Sequence, residues 1–153
     1  MSSKEEVTRV LTSVALFEGL NASFIVKLAD IGQEKSFGRG EKIVEQSQLG
    51  DEIFVVLTGR VTISIIGPEN GEPITIATLK DGDILGESML LGKMRRAATA
   101  VAKDEVDTLV WKTNDLLNFL DREVEIGYIV MKNLARSLSD KLNTTNMALR
   151  NKV

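Results

Sequence analysis

The sequence contains no cysteine and no histidine among its 153 residues. Without cysteine, no disulfide can support the fold, and the chain carries no direct sign of its redox surroundings. Without histidine, the protein cannot bind a metal through imidazole or use the commonest general acid–base group. Catalysis by carboxylates alone is still possible, but the sequence shows no pair of acidic residues that differs from ordinary solvated surface charges. We therefore expect neither an enzyme nor a metal or cofactor.

Long apolar runs and a surplus of positive charge are also missing. No apolar stretch approaches the roughly 18 residues that can cross a bilayer, and the amino-terminal sequence MSSKEEVTRV lacks a signal-peptide pattern. Nineteen Lys and Arg residues against 22 Asp and Glu residues give a net charge of −3, which argues against general nucleic-acid binding. We therefore expect a cytoplasmic protein with neither a membrane nor a nucleic acid as partner.

The length and composition are those of one globular domain. Hydrophobic residues make up 43% of the chain and charged residues 27%, which are ordinary fractions for a folded protein. A chain of this size buries about 68–70% of the surface that its unfolded form exposes. We therefore treat residues 1–153 as a single domain and describe it in three successive parts.

The first part, residues 1–34, carries the signals of two helices. Ser3-Lys4-Glu5-Glu6 has the pattern of a capping box, which predicts a helix that runs to about Phe17. Asn21 can cap a second, shorter helix, and Gly32 can close it.

The second part, residues 35–112, has the pattern of an all-β domain, because glycines separate short apolar runs. In one of these runs Val61, Ile63 and Ile65 alternate with polar residues, which is typical of a half-buried strand. Asn70-Gly71 predicts a tight hairpin. The candidate strands are residues 42–45, 53–57, 61–66, 74–79, 99–103 and 107–112.

The third part, residues 113–153, is predicted to be helical. Thr113 can cap a helix that runs to Leu120, and a long helix then covers residues 123–150. The long helix carries an apolar stripe whose first half, near Val130 and Leu134, should pack on the β domain. Beyond Leu138 little of the chain is left to cover the stripe, and an uncovered stripe usually meets a partner.

Residues 86–99, GESMLLGKMRRAAT, combine a glycine and a carboxylate, one short apolar turn, and an arginine followed by small residues. A helical turn that opens after Gly86 presents free backbone N–H groups and a positive dipole end to an anion. Gly86 also lets the backbone approach a ligand closely. Glu87 can accept hydrogen bonds from a sugar hydroxyl, and the forked guanidinium of Arg96 can donate to phosphate oxygens.

Small residues beside the arginine complete this pattern, since Ala97 and Ala98 leave room for a purine. The set as a whole suits a cyclic phosphodiester sugar. Taken one at a time, Glu87 reads as a solvated acid and Arg95-Arg96 as an ordinary surface pair. The interpretation therefore depends on the complete set at this spacing.

At these residues the chain resembles the cyclic nucleotide-binding domain family, which includes the regulatory subunits of cAMP-dependent kinase and the catabolite activator proteins. In the kinase-like form of the family's phosphate cassette, an arginine lies nine positions after a Gly-Glu pair and is followed by small residues and a threonine. Glu87 and Arg96 have that spacing, and Arg96-Ala97-Ala98-Thr99 completes the ending. Matches at residues 17–20, 40–43, 50–59 and 80–83 extend the resemblance to nearly the whole chain.

The resemblance implies a mainly β fold with flanking helices: an eight-stranded, jelly-roll-like β-roll with amino-terminal helices and a long carboxy-terminal helix. It also implies a cyclic nucleotide as ligand. Arg96 would bind the phosphate, helped by the N–H groups of Ser88, Met89 and Ala97. Glu87 would accept a hydrogen bond from the ribose 2′-hydroxyl. Ile63 and Ile76 would line the purine pocket, although their side chains alone read equally well as plain core.

Alanine at position 97 favours cAMP, because cGMP-selective sites of the family commonly place a threonine there; cGMP stays open as a ligand. In activator-type members the closing helix offers hydroxyl groups to adenine. By this resemblance Lys141 and Leu142 lie near those positions, and Thr144 and Thr145 follow nearly a turn later. Direct recognition of adenine is therefore not expected from the helix.

The resemblance further implies that the carboxy-terminal helix passes on the signal of ligand binding. In the activator branch this helix pairs with its twin, so we expect a homodimer or a partner protein at its apolar stripe. The alternative is a frayed tail. At the level of function, the alternative is a degenerate roll that has lost its ligand and serves as a dimerisation or protein-docking module.

Overall fold

The computed structural model describes residues 2–69 and 71–151 and begins with two helices. α1 (Lys4–Thr12) and α2 (Ala22–Asp30) are joined by a single 3₁₀ turn, Ala15–Phe17. The side chains of Ser3 and Asn21 each accept a hydrogen bond from the backbone N–H three residues on, at 3.2 and 3.0 Å. Both predicted caps are therefore confirmed.

The carboxyl ends of these two helices differ from the prediction. α1 stops at Thr12 rather than near Phe17, because Val14 is extended and interrupts the helix before the 3₁₀ turn. Gly32 does not close α2 in a left-handed conformation; the residue before it is the C-cap and is right-handed. Gly32 instead allows close packing, since a Cβ there would lie 2.8 Å from Cγ of Leu109.

Ten strands lie in the described residues and form antiparallel sheets. They are β1 (Gln33–Phe37), β2 (Lys42–Val44), β3 (Leu49–Gly50), β4 (Glu52–Thr58), β5 (Val61–Ile66), β6 (Pro73–Leu79), β7 (Ile84–Leu85), β8 (Met94–Arg95), β9 (Thr99–Ala102) and β10 (Val106–Lys112). The sheet orders are β1-β10-β4-β7, β2-β9-β5-β6 and β3-β8. The mainly β fold class is confirmed. The resemblance implied eight strands, and three of the ten found here are only two residues long.

All six predicted strands are present, with ends within one residue of those predicted. The prediction missed β1 and the three short strands. β1 pairs along its whole length with β10, from Gln33↔Val110 to Phe37↔Val106. The predicted Asn70-Gly71 turn falls between the paired strands β5 and β6, but Asn70 lies outside the described residues.

β4 is buried on both faces and separates two cores. Ile53, Val55 and Leu57 face the helices and belong to the helix-side core, which also takes in residues of α1, α2 and β10. Phe54 and Val56 face the opposite way, into the core of the roll. The roll core is completed by Phe37, Val61, Ile63, Ala100, Ala102, Val106 and Val110. One strand therefore contributes side chains to both cores.

Two helices, α3 (Thr113–Arg122) and α4 (Val124–Arg150), follow the roll. The expectation that Thr113 caps α3 is wrong, because Thr113 is the first helical residue and its buried Oγ1 has no hydrogen-bond partner within the described residues. Among its apolar residues α4 buries Ile126, Val130 and Leu134. These three lie on one face, one turn apart, and are buried in the helix-side core. The main contacts of α4 are with the 3₁₀ turn Ala15–Phe17 and with α3, and not with the strands as predicted.

The two halves of α4 have different surroundings. In the first half, Asn133 Nδ2 donates to the carbonyl oxygens of Leu16 and Glu18, at 2.9 and 2.8 Å, and so ties α4 to the amino-terminal segment. In the second half, residues 139–151 are all exposed. The large apolar side chains exposed there are Leu142, Met147 and Leu149. Within the part of the chain that the structure describes, no helix has the length and apolarity that a bilayer crossing needs.

Candidate functional site

The segment 86–99, called the cassette below, opens directly after β7. Gly86 adopts a left-handed conformation with φ of 87°, which glycine tolerates without a steric penalty. A single 3₁₀ turn, Glu87–Leu91, follows it. The N–H of Met89 donates to the carbonyl oxygen of Gly86 at 2.9 Å and closes the turn. A helical opening after Gly86 is thus present, as predicted, in the tighter 3₁₀ form.

Arg96 is buried in the cassette, with only 7% of its surface exposed. Its Nη2 donates to the carbonyl oxygen of Glu52 at 2.7 Å. Its Nη1 is also buried, and no acceptor for it exists among residues 2–69 and 71–151. Leaving a buried, charged N–H group without an acceptor is unfavourable, so this atom is suited to an incoming anion oxygen.

Two glycines make the space for this guanidinium. A Cβ on Gly86 would collide with Nη1 of Arg96, and a Cβ on Gly50 would collide with its Nε. Gly50 sits in β3, which pairs with β8 just before Arg96. The role of Gly50 was not predicted. The sequence marks it only as the first residue of a Gly-Asp pair, and the contact appears once the two short strands meet.

The electrostatics at Arg96 combine burial with nearby acids. Burial lowers the pKa of the Arg96 guanidinium, and the carboxylates of Glu52 and Asp51 act in the opposite direction. An arginine stays protonated in proteins even after such a shift. The Phe54 ring, whose centroid lies 6.0 Å from Cζ, adds a favourable aromatic face. The site therefore holds a permanent, partly desolvated positive charge.

Glu87 lies on the other side of Gly86 and is mostly covered, with 12% of its side chain exposed. Its Oε1 is 2.6 Å from Nζ of Lys141, which reaches over from the second half of α4. Lys141 itself is 65% exposed. The sequence placed Lys141 near the position where relatives contact the base, but it gave no sign of this ion pair between residues 54 positions apart.

Cavity size alone does not single out this site. An open groove of about 530 Å³ lies between α3 and α4 and is lined mainly by apolar groups, including Leu120, Tyr128 and Met131. The cavity next to Arg96 is smaller, about 110 Å³. We nevertheless place the site at Arg96, because a buried cation with a free N–H attracts an anion and an apolar groove does not.

A family model described as "Cyclic nucleotide-binding domain" matches residues 34–123, which is more than half of the chain and includes the whole cassette. The chain belongs to this family. Among curated relatives, the cGMP-dependent protein kinase egl-4 of Caenorhabditis elegans is 32% identical over 103 residues, which make up 67% of this chain and 13% of the kinase. The cyclic nucleotide-binding domain described here thus spans about an eighth of that relative's length.

Solved structures share the fold of this cyclic nucleotide-binding domain. The catabolite activator protein of Thermus thermophilus superimposes with a TM-score of 0.81 at 28% identity, over 89% of this chain and 62% of that one. The regulatory domain of the Toxoplasma gondii kinase PKA, solved with cAMP, gives a TM-score of 0.75 at 24% identity, over 90% of this chain and 50% of that one. At 24% identity, the match to the Toxoplasma gondii domain shows a shared fold only.

The other predicted site residues of the cyclic nucleotide-binding domain have varied surroundings. Ser88 is half-buried in the 3₁₀ turn, whereas the Met89 side chain packs in the helix-side core. Ala97 is exposed and Ala98 half-buried, directly after Arg96. On the roll, Ile63 is buried in β5 and Ile76 is 55% exposed on β6. The structure thus gathers Gly86, Glu87 and Arg96 around one turn, while the Met89 N–H is engaged within that turn.

Proposed function

We propose that this domain is a cAMP receptor that binds the cyclic phosphate at Arg96 and signals through α4. The observation that carries the proposal is the buried Arg96 guanidinium beside the left-handed Gly86: its Nη2 donates to the carbonyl oxygen of Glu52, and its Nη1 has no acceptor among the described residues. A cyclic phosphate has a single negative charge and exposed oxygens, so it can accept a hydrogen bond from Nη1. The backbone N–H groups of Ser88 and Ala97 are further donors in the proposal.

Glu87 is proposed to accept a hydrogen bond from the ribose 2′-hydroxyl. A carboxylate has two oxygens and about four lone-pair sites, so it can hold Lys141 at Oε1 and a hydroxyl at Oε2 together. A ligand without this hydroxyl would leave that acceptor unused and bind less well.

The preference for cAMP rests on Ala97, which has no side-chain hydroxyl to offer to the amino group of guanine. The named relatives point to both nucleotides: one is a cGMP-dependent kinase and another was solved with cAMP. The apolar side chains of Ile63 and Ile76 are proposed to face the purine. Because Ala97 is one residue, we expect the preference for cAMP over cGMP to be modest.

Signalling is proposed to involve the second half of α4, since it contacts the cassette through Lys141 and presents Leu142, Met147 and Leu149 to solvent. A homodimer or a partner protein at this surface stays a prediction, as does a cytoplasmic location. The domain acts here as a receptor and not as an enzyme. A ligand can shift α4 only if it binds one arrangement of the helix more tightly than another.

The decisive experiment is a calorimetric titration of cAMP and of cGMP into the wild type, Arg96→Ala and Arg95→Ala. Removing one partner of a buried charge pair costs about 2–5 kcal/mol, so Arg96→Ala should weaken cAMP binding about 30-fold to several thousand-fold. Arg95 is the matched control, because it is adjacent but exposed and its Nη1 donates to the carbonyl oxygen of Ser47. Arg95→Ala should bind cAMP like the wild type.

Unchanged cAMP affinity in a folded Arg96→Ala variant would rule out the phosphate assignment. Arg96→Lys keeps the charge and loses the forked geometry, so it should fall between the wild type and Arg96→Ala. If the wild type binds neither nucleotide but is dimeric by mass, the degenerate-roll alternative holds instead.

A further inference from the structure

The turn that follows Gly86 carries a carboxylate, Glu87, beside the place proposed for an anion. Asp51 and Glu52 are close enough to act on the Arg96 guanidinium, and Glu87 directly follows Gly86, where an added Cβ would collide with that guanidinium. Arg95 is engaged elsewhere, since it donates to the carbonyl oxygen of Ser47. Without a counter-ion, the Glu87 carboxylate in this turn would repel an anionic ligand.

Lys141 supplies a counter-ion for Glu87 from a distant part of the chain. Its ammonium group is 2.6 Å from the Glu87 carboxylate, and that carboxylate is largely shielded from solvent. Pairing with Lys141 neutralises the carboxylate that lies nearest to the phosphate-binding turn. The pair also leaves Oε2 of Glu87 free to accept a hydroxyl hydrogen bond.

The same pair holds the second half of α4 in place. Residues 139–151 are all exposed, so little packing fixes their position. Over the described residues, Lys141 makes the one ion pair that joins this half of the helix to the roll. The contact therefore links the position of the helix to the charge of the cassette.

From this geometry we infer that Lys141 is a positioning residue of the nucleotide site. It neutralises Glu87 and tethers the second half of α4 to the cassette, and through both effects it raises the affinity for an anionic cyclic nucleotide. The inference rests on the proposed function for its ligand, but the tether exists without any ligand. The two parts can therefore be tested separately.

The tether is tested on the ligand-free protein with two spin labels. Because the chain has no cysteine, cysteines introduced at the exposed positions Lys93 and Asn146 take up the labels uniquely. The wild-type background should give a narrow distribution of label distances. Lys141→Met, which keeps the length of the side chain and removes its charge, should broaden it, and Lys141→Arg should restore it. An equally narrow distribution in Lys141→Met would overturn the tether.

The affinity role is tested by titrating cAMP into the same variants without labels. Lys141→Met should bind cAMP about fivefold more weakly, which is the upper range for an ion pair with one exposed member. Lys141→Glu, which places two carboxylates together, should bind more weakly still. The difference between the wild type and Lys141→Met should shrink at about 1 M salt, where screening removes such interactions. A purely structural role of the side chain would not give this salt dependence.

Lys132→Met is the matched control, since Lys132 is an exposed lysine of the same helix whose Nζ lies 6.0 Å from the Tyr128 ring centroid, away from the cassette. It should leave both measurements unchanged. Equal or higher cAMP affinity in Lys141→Met would overturn the affinity role. If the wild type binds neither cAMP nor cGMP, the proposed function falls together with the affinity role, while the label distances still decide the tether.

Discussion

The Arg96 end of the site is fixed by the roll, whereas the Glu87 end is completed by a side chain from α4. Arg96 is buried against Gly50, Gly86 and the carbonyl oxygen of Glu52, all of which belong to strands or tight turns. Glu87 is held by Lys141, whose own side chain is largely exposed. The end proposed to bind the phosphate is thus preorganised, and the end proposed to bind the ribose depends on the position of α4.

This difference suggests a division of labour between the two ends. A preorganised charge supplies affinity, because little reorganisation is needed when the anion arrives. A contact that depends on a helix can carry a signal, because the ligand then binds one helix position more tightly than others. Substitutions at the Arg96 end should therefore change affinity strongly, and those at the Glu87 end should change ligand selection and the helix.

After the loss of Arg96 itself, the largest effect on cAMP affinity is expected when the space around its guanidinium is filled. Gly86→Ala forces a Cβ into the guanidinium and should displace it. We expect cAMP affinity to fall by at least about tenfold, which is a loss of roughly 1.4 kcal/mol of binding free energy. Gly40→Ala is the matched control, because Gly40 has nearly the same φ, 86°, with no atom within 4 Å of the added Cβ. Both variants should lose about 1–2 kcal/mol of stability to the left-handed backbone.

Urea unfolding and calorimetry on the two variants separate these effects. If Gly40→Ala weakens cAMP binding as much as Gly86→Ala does, the loss comes from general destabilisation and the preorganised phosphate end is disproved.

A second prediction concerns the ribose end. The wild type should bind 2′-deoxy-cAMP about tenfold or more weakly than cAMP, because a hydrogen bond to a charged group contributes about 1.5–3 kcal/mol. Glu87→Ala should bind both ligands with similar affinity, since the acceptor has been removed. The four dissociation constants form a double-mutant cycle. A cycle without coupling would show that Glu87 does not contact the 2′-hydroxyl.

A smaller effect is expected at the purine. Ala97→Thr adds a hydroxyl at an exposed position next to Arg96 and should improve cGMP binding by about two- to tenfold, the range of one net hydrogen bond. Competition between labelled cAMP and unlabelled cGMP measures the change. Ala97→Val, which adds similar bulk without a hydroxyl, is the control and should give no gain for cGMP.

The smallest effect is expected from pH. The chain has no histidine, and the cation of the site is an arginine. Burial lowers the pKa of Arg96, so its charge is lost sooner as the solution becomes alkaline, but it stays protonated at neutral pH. Binding of cAMP should therefore be constant between about pH 6 and pH 8. A titrating step in that range would show that another group controls the phosphate end.

Features that depend on neighbouring residues could be predicted from the sequence, whereas contacts between distant residues could not. The caps at Ser3 and Asn21 were correct, because a cap involves a side chain and a backbone group only three residues apart. β1 was missed, because its sequence QEKSF is mostly polar and has a single buried residue. Its pairing with β10 joins residues more than 60 positions apart, which no local pattern reports.

For the candidate site, the sequence alone determined the residue types and their order. Gly86, Glu87 and Arg96 lie within eleven residues of chain, so their spacing already indicates a cyclic nucleotide cassette. Only the tertiary structure decided that Gly50 makes room for the guanidinium and that Lys141 pairs with Glu87. The spacing of cassette residues can be seen in the sequence because they are close together in the chain. The two other contacts form only because packing of the sheets and of α4 brings distant segments together.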